Sequence, residues 1–472
     1  MADMTVSGLK TVFVATLVAL VTASITGNGG SAVASSVGVG PLIAEASHEQ
    51  AKAVPNAELP AELRTSANNN KRIMDKVDKL VRQRIYDKSL IQSAWQPALK
   101  RDEQKILASK NLIELDENIN HTLASMHSSH CEFVTINDET YYFLHGLFCH
   151  REKLKAPIYT GFMTGPPRFA ADQVRYVLNG SPASTAEIEV GDRILTVNGR
   201  QYLGQMDFLH HLAEPEHKKS DDGKSDQKSK HPAPNPVVIG LERGGKKLEV
   251  KLTPLKQDVY RAYCEATEKS ARSYKVDGFN IGYVHHWCGG QVGHEAIQEV
   301  LNEKLGNTDG LILDLRDGYG GNGLDDLDYF YRPPLGYPVF ISTTRDGKKL
   351  VDKEFYDRPV VALINDGSRS GKELLAFSLK RTGRAKLVGI NTAGAFLGGS
   401  FNVIDDTCAL YLPVIDCTVG GVRLEGVGVA PDVPVDDRLS AAGKQEQLDK
   451  AQSLLIETLQ QSKSAPNPQA QN

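Results

Sequence analysis

The sequence predicts a multidomain α/β protein, and three observations lead to this class. The chain has 472 residues, more than a single compact core usually holds. From about residue 275 onward, short apolar segments alternate with segments of helical period, which is typical of a largely parallel sheet. Ahead of them, a helical pattern over residues 66–165 gives way to strands and turns over residues 166–256. We therefore expect a helical N-terminal domain, a β domain, an α/β core over residues 257–445, and a C-terminal helix and tail over residues 446–472.

The N-terminal segment, residues 1–34, predicts a secretory signal peptide. Lys10 precedes an apolar run over residues 11–25, and small residues follow up to the expected cleavage site near Ala34. The run is shorter than the about 20 apolar residues of a membrane-spanning helix. We expect an exported protein, secreted or periplasmic, which meets a membrane only if this segment stays uncleaved. Residues 35–65 predict a flexible leader. Two other residues are alternative cleavage sites, Ala23 and Ala46.

The net charge and the cysteine content of the chain limit the classes of function that are compatible with the sequence. The formal net charge is -4 with both signs mixed, so nothing favours nucleic-acid binding. The six cysteines are Cys131, Cys149, Cys264, Cys288, Cys408 and Cys417. An even number in an exported chain suggests disulfides, and the simplest local pairs join the first two and the last two. No CxxC or Cys/His cluster has zinc spacing, so we expect neither a metal nor a cofactor.

The elements of the first two domains follow from periodicity. Ile73, Val77, Leu80 and Val81 share one helical face, which predicts a helix from about residue 68. Further predicted elements are a helix over 115–126, strands over 174–178, 237–241 and 247–252, and a helix around 203–212. A short strand ends at the hairpin signal Asn198-Gly199. Residues 214–236, rich in Lys, Asp, Ser and Pro, predict a disordered insertion.

The core shows the alternation of strands and helices most clearly. Strands are predicted over 280–284, 311–315, 360–365 and 386–390, and helices over 293–305, 371–381 and 447–460. The strand over 360–365 runs through a Gly/Ser turn directly into the next helix. Ser370 lies at that junction, where free N–H groups of the helix start can stabilise an oxyanion. The alternative is that Ser368 or Ser370 only caps the helix.

A glycine-rich loop follows the strand over 311–315. Its glycines, which include Gly318, Gly320, Gly321 and Gly323, let backbone N–H groups approach a ligand. A phosphate loop would need GxxxxGK[ST], which is absent. The loop therefore supplies either an oxyanion donor, a substrate contact or merely a tight turn.

Together, several segments resemble the C-terminal-processing, or tail-specific, peptidase family, which includes tricorn protease. The similar segments come in family order over roughly residues 70–460: 128–133, 180–199, 314–321, 365–373, 383–389, 392–394 and 426–432. The resemblance implies a crotonase-like α/β catalytic core, a PDZ-like domain over residues 166–256 and Ser370 as the nucleophile of a serine peptidase.

One departure from the family concerns the general base. Most members carry a lysine directly after the T-x-G segment that follows the nucleophile helix, and this chain has Ala395 there. The tricorn branch instead uses a Ser–His pair and a glutamate before the closing motif. This chain matches that pattern with Ser129, His130 and Glu425, which would form a triad-like relay. The alternative bases are His285 and Lys372.

The resemblance also assigns the remaining site residues. Gly371 and Gly320 are expected to supply the oxyanion donors through their backbone N–H groups. Gly161 and Phe162 are expected in the peptide-binding loop of the PDZ-like domain. The expected function is an exported serine endopeptidase for unfolded or C-terminally exposed polypeptides. The alternatives are an inactive peptide- or ligand-binding protein on the same scaffold, which the missing lysine favours, and a purely structural exported scaffold.

Overall fold

The computed structural model describes most of the chain between residues 61 and 464. The described residues are 61–149, 154–165, 168, 170–202, 234–331, 340–343, 345, 347, 349–352 and 355–464. All of them belong to one folded unit, residues 43–472. The predicted signal peptide and most of the leader, the predicted helix around 203–212, residues 214–233 of the predicted insertion and residues 465–472 lie outside the described residues.

The described chain is a mixed α/β structure. Its α-helices are α1 (Ala67–Arg84), α2 (Gln96–Leu107), α3 (Leu112–Ala124), α4 (Glu139–Phe148), α5 (Pro182–Thr185), α6 (Val259–Ser270), α7 (Gly290–Glu299), α8 (Gly371–Arg381) and α9 (Ala441–Ser464). Its strands are β1 (Glu132–Thr135), β2 (Ile158–Tyr159), β3 (Phe162–Thr164), β4 (Val174–Val177), β5 (Arg193–Val197), β6 (Arg200–Gln201), β7 (Val237–Arg243), β8 (Lys246–Leu252), β9 (Leu255–Lys256), β10 (Arg272–Val276), β11 (Phe279–His285), β12 (Gly310–Asp314), β13 (Phe340–Thr343), β14 (Lys349–Asp352), β15 (Val360–Ile364), β16 (Ala385–Gly389), β17 (Gly398–Asp405), β18 (Cys408–Ile415) and β19 (Val433–Pro434). Short 3-10 turns (Ala61–Leu63, Leu324–Leu327) and π-helical turns (Ile91–Trp95, Val300–Lys304) complete the described elements.

A six-stranded sheet forms the centre of the core, in the order β10-β11-β12-β15-β16-β19. Its strands from β11 to β19 run parallel, and β10 closes one edge antiparallel to β11. This confirms the predicted largely parallel sheet. The strands of such a sheet are buried on both faces, which explains why they are continuous apolar runs rather than alternating ones.

Helices cover both faces of this sheet. Leu311 and Leu313 of β12 point to the side of α7 and α8, where they pack with Leu375 and Leu379. Ile312 points to the opposite side, in the cluster formed with α9. Because successive side chains of a strand alternate between the faces, one apolar strand supplies both cores.

The N-terminal helices pack on a second, three-stranded sheet of order β1-β18-β17. Helix α1 begins at the cap Ser66, whose side chain accepts a hydrogen bond from Asn69 N. Its predicted apolar face is confirmed, since Ile73, Val77 and Val81 are buried in a core shared with β18. The hairpin β17–β18 was not predicted, and it joins the helical part to the C-terminal half because β1 pairs with β18.

Residues 158–256 contain a separate set of strands with its own apolar cluster. The sheet β6-β5-β7-β8 includes both predicted hairpins, and Asn198 and Gly199 form the first turn with positive φ of 50° and 75°. A third hairpin, β3–β4, forms a two-stranded sheet of its own, and β2 pairs with β9. Within the described residues, no helix is both long enough and apolar enough to cross a membrane.

The predicted local disulfides are not present in the structure, since none of the six cysteines forms a disulfide there. Cys408 begins β18 and Cys417 lies beyond its end, so an eight-residue strand of about 26 Å keeps them apart. Cys131 packs against the core of the N-terminal helices. Cys149 follows α4 and lines a surface cavity outside that core. Cys264 and Cys288 are instead close together, with sulfur atoms 3.6 Å apart.

Candidate active site

Two loops meet at the carboxyl ends of neighbouring strands in the central sheet. Strand β12 leads into the glycine-rich loop, and β15 leads into the turn before α8. Because β12 and β15 pair in parallel, their carboxyl ends lie at the same edge. This edge is where open α/β sheets bind their ligands.

Ser370 occupies the N-cap position of α8 in an unusual backbone conformation, with φ 57° and ψ −125°. Its N–H donates to Ala395 O at 2.9 Å and to Glu373 Oε2 at 3.1 Å. Among the described residues its hydroxyl has no hydrogen-bond partner, and the N–H of Glu373 bonds to the Ser370 carbonyl instead. The hydroxyl is therefore available to the pocket that Ser370 lines.

Ser368 has a purely structural role in the turn, which was the alternative interpretation for both serines. It is fully buried, its hydroxyl donates to Leu315 O at 2.8 Å, and it accepts from Asn365 N at 3.0 Å. This hydroxyl ties the turn to the neighbouring strand β12 and has no capacity left for chemistry.

Glu373 is a site residue that sequence reasoning missed. Besides the Ser370 N–H, its carboxylate accepts from Thr392 Oγ1 at 2.6 Å and from the N–H groups of Gly394 and Ala395, both at 2.8 Å. Burial raises its pKa, and these four donors oppose that shift. The available signal was the capping-box pattern S-x-x-E over residues 370–373.

Glycines bring the two loops into direct contact. A β-carbon at Gly320 would lie 2.7 Å from Ser370 Cβ and 3.0 Å from Gly371 N. A β-carbon at Gly371 would lie 2.4 Å from the backbone N and O of Asn322. Only glycine allows this approach, and it places the N–H groups of Gly320 and Gly371 beside the serine. Among the described residues, neither N–H has a hydrogen-bond acceptor.

Ser129, His130 and Glu425 form a hydrogen-bonded relay. Ser129 Oγ lies 2.7 Å from His130 Nδ1 and 2.9 Å from Glu425 Oε2. The carboxylate is also fixed by the N–H groups of Ser129 at 3.0 Å and Phe396 at 2.6 Å. Because an ionised carboxylate only accepts, the Ser129 hydroxyl donates to Glu425 and accepts the Nδ1 hydrogen of His130. This leaves Nε2 of His130 unprotonated.

Burial and charge keep His130 neutral. The side chain is buried beside Tyr411, and its pKa is lowered to about 3, first by burial and then by the positive charge of Arg369. A neutral imidazole with a fixed tautomer is the form that can accept a proton. Its backbone φ is also positive, at 57°.

One pocket of about 150 Å³ is lined both by His130, where the relay ends, and by the nucleophile candidate Ser370. His130, Ser370, Gly320 and Gly321 line it, together with apolar side chains that include Phe143, Leu144, Leu147 and Leu397. His130 and Ser370 thus face one space, with no hydrogen bond between them. Such catalytic contacts are often loose without substrate and tighten in the complex.

The two alternative bases lie outside this pocket. His285 Nε2 is 2.7 Å from Arg316 O, and the ring stacks on Trp287 with centroids 3.5 Å apart. Lys372 is fully buried and donates to Asp317 O, and burial lowers its pKa to about 8. The side chains of His285 and Lys372 are therefore both hydrogen-bonded to backbone carbonyl groups of the glycine-rich segment, away from Ser370.

Gly161 and Phe162 lie at the start of strand β3. Gly161 has φ 82°, and a β-carbon there would lie 2.1 Å from Ser181 Cβ. Phe162 is buried in the apolar cluster of the β domain. In the described part of the chain, no group of three or more His, Cys, Asp or Glu side chains has the arrangement of a metal site.

These parts together define the class of protein. A serine at a strand-to-helix turn, backbone N–H groups beside it and a histidine oriented by hydroxyl and carboxylate are the parts of a serine-type peptidase. Residues 280–435 match the model of Peptidase family S41. Over these residues the chain is similar to this family, and the curated proteins that it matches include carboxy-terminal-processing proteases.

The chain is similar to several curated proteins and solved structures. The chain is 25% identical over 282 residues to the carboxy-terminal-processing protease of Bartonella bacilliformis, covering 56% of this chain and 58% of the relative. It is 28% identical over 245 residues to the tricorn protease of Thermoplasma acidophilum, covering 46% and 20%. A solved structure of the photosystem II D1 C-terminal processing protease covers 78% of this chain and 92% of that chain at 20% identity, with a TM-score of 0.45. The chain spans about half the length of the carboxy-terminal-processing relatives it matches.

Proposed function

We propose that the chain is an exported serine endopeptidase that cleaves unfolded or C-terminally exposed polypeptides through an acyl-enzyme on Ser370. One observation carries the proposal: the relay from Glu425 through Ser129 to His130 ends in the pocket that Ser370 lines. A serine hydroxyl needs a positioned base to attack a carbonyl at neutral pH, and this relay supplies one.

The reaction follows from these positions. Ser370 Oγ attacks the peptide carbonyl carbon while Nε2 of His130 takes its proton. The N–H groups of Gly371 and Gly320 stabilise the oxygen that becomes negative. The imidazolium gives its proton to the leaving amine as the peptide C–N bond breaks, which leaves an ester on Ser370. Water, activated by the same histidine, then hydrolyses the ester and releases the second product.

The relay stabilises the charge that forms on His130. When the imidazole takes a proton, its Nδ1 hydrogen points to Ser129, whose own hydroxyl points to the carboxylate of Glu425. The negative charge of Glu425 therefore acts through one hydroxyl on the positive ring. In the free protein burial, and after it the positive charge of Arg369, oppose protonation, which keeps His130 in the neutral form that can accept a proton.

We further propose that residues 257–445 form a crotonase-like catalytic core and residues 166–256 a PDZ-like domain that presents extended chains. A cavity of about 410 Å³ supports this, because Met163 and Thr164 of β3 and Arg175 and Tyr176 of β4 line it together with Tyr319 of the glycine loop. A peptide added to a strand edge of that domain would lead toward Ser370. Gly161 and Phe162 would belong to its carboxylate loop.

A second candidate is a binding protein without catalysis, favoured by Ala395 in place of the family lysine. In this chain Ala395 has another task, since its carbonyl accepts from the Ser370 N–H. The relay makes the lysine dispensable, so we favour the peptidase.

Digestion of an unfolded protein by the purified mature chain tests the proposal. Wild type is expected to cleave, and Ser370→Ala and His130→Ala to lose orders of magnitude in kcat/KM. Reaction of Ser370 with a fluorophosphonate probe should depend on His130 in the same way. An inert wild type that gains activity from Ala395→Lys would instead support the binding protein.

A further inference from the structure

Arg369, directly before the nucleophile, has a guanidinium group without a partner in the described part of the chain. Among the described residues it forms neither a hydrogen bond nor an ion pair through its side chain, although it is half-buried. Other arginines of this region are paired: Arg168 lies 2.8 Å from Asp437, and Arg316 is bound to Asp314. A half-buried cation without a counter-ion has lost part of its hydration, and no ion pair or hydrogen bond compensates for that loss.

The position of Arg369 puts this charge where substrate must pass. It lines the pocket of Ser370 and also the larger cavity that extends to the β3–β4 hairpin. Glu132, Thr140 and Tyr319 line both as well, so the two spaces adjoin. Arg369 therefore lies at the boundary between the reacting groups and the route toward the β domain.

The charge reaches several side chains of the pocket. After burial, it is the second cause that lowers the pKa of His130, and it opposes the burial that raises the pKa of Glu132 and of Tyr411. Glu132 does not neutralise it, because the two side chains form no ion pair, and burial raises the pKa of Glu132 to about 7. Burial also raises the pKa of Asp138, the other unpaired carboxyl of the larger cavity. Both carboxyl groups therefore repel an incoming anion less than two ionised ones would.

We propose that Arg369 binds a carboxylate of the substrate within one or two residues of the scissile bond, and so selects substrates that carry one. The inference deepens the proposed function and rests on it. A guanidinium matches a carboxylate through two parallel hydrogen bonds, and carboxylate is the anion that unmodified polypeptides offer. It comes either from an Asp or Glu side chain or from the C-terminus of the chain.

Fluorogenic peptides of one length and sequence distinguish these sources. One pair differs by Glu or Gln beside the scissile bond, and another ends near it as a free acid or an amide. For the source that Arg369 recognises, wild type should show a kcat/KM ratio of about ten in favour of the carboxylate, as expected for one partly exposed charge-assisted pair. Arg369→Gln should reduce this ratio to about one, and Arg369→Lys should keep part of it because the charge remains.

A matched control is Arg193→Gln. Arg193 is an exposed arginine that pairs with Asp172 outside both cavities, so the ratio should stay at the wild-type value. A ratio near one in wild type for both peptide pairs, or an unchanged ratio in Arg369→Gln, would overturn the inference.

Binding to Ser370→Ala separates this inference from the proposed function. Calorimetry with the same peptides should give a Kd about tenfold lower for the carboxylate form, and Arg369→Gln in that background should equalise the two. If wild type cleaves none of the peptides, the proposed function fails while this comparison still tests Arg369. Equal Kd values for carboxylate and neutral peptides would show that Arg369 has no such role.

Discussion

Removal of the Ser129 hydroxyl is the sharpest test of the relay. Ser129→Ala deletes the hydroxyl that bridges His130 Nδ1, at 2.7 Å, and Glu425 Oε2, at 2.9 Å. His130 would keep its place in the pocket but would lose both its fixed tautomer and the carboxylate behind it. The variant should therefore retain substrate binding and lose transition-state stabilisation.

The expected loss follows from one buried hydrogen bond to a group that becomes charged. Such a bond contributes about 1.5–3 kcal/mol. This corresponds to a fall in kcat of about 10- to 150-fold, at about 1.4 kcal/mol per factor of ten. KM should change little, because Ser129 lies behind the histidine and outside the lining of the pocket. Steady-state kinetics on one fluorogenic peptide would measure both constants.

Three companion variants make the result specific. Ser129→Thr keeps a hydroxyl and should keep most of the activity. Ser128→Ala removes the neighbouring hydroxyl, which contacts Ser129 O at 3.4 Å and the side chain of Tyr86 but neither His130 nor Glu425, and should behave as wild type. The double variant Ser129→Ala/Glu425→Gln should be no worse than the poorer single variant, because both act through one relay. If Ser129→Ala stays within about threefold of wild type while Ser370→Ala is inactive, the base is not held as we describe.

Three further predictions concern packing, pH and oxidation. Gly371→Ala places a methyl group 2.4 Å from the Asn322 backbone, so we expect a Tm several degrees lower together with lost activity. Thermal unfolding and peptide cleavage measure the two effects. An unchanged Tm would contradict the close packing of Gly371 against Asn322. Burial raises the pKa of Glu139 from 4.5 to about 8, so the folded state holds its proton over a range where the unfolded state has lost it. The free energy of unfolding therefore falls as pH rises through this range. Relative to wild type, the free energy of unfolding of Glu139→Gln, measured by urea titration, should increase by up to about 1.4 kcal/mol per pH unit. Parallel plots of unfolding free energy against pH for the two proteins would refute this prediction. Refolding in a glutathione redox buffer should join Cys264 to Cys288, because their sulfur atoms lie 3.6 Å apart, and peptide mapping without reduction would reveal any other pairing as a contradiction.

The sequence was informative wherever a local rule decides the structure. The parallel strands were predictable because burial on both faces produces apolar runs, and the turn at Asn198-Gly199 because few residues tolerate its backbone angles. The start of α8 at Gly371 followed from the junction of strand, Gly/Ser turn and helical period.

Contacts between distant segments were less predictable. The pairing of β1 with β18 joins residues that are almost 280 positions apart, and no local pattern reports it. Both strands of the β17–β18 hairpin were missed. The lack of an ion-pair partner for Arg369 among the described residues was also missed, because it depends on which residues surround the turn. The proximity of Ser129 to Glu425 was expected only from the family resemblance, because the spacing of the two residues carries no such information.

Backbone geometry at the two reacting residues has a consequence for how this chain can be improved. Ser370 and His130 both have φ of 57°, a region that side chains other than glycine enter at a cost of about 1–3 kcal/mol. Glycine at either position would relieve this cost and remove the chemistry. Stability and activity therefore demand opposite residues at these sites, and a screen that selects for heat resistance alone would favour inactive variants. Directed evolution of this protein should select for turnover in every round.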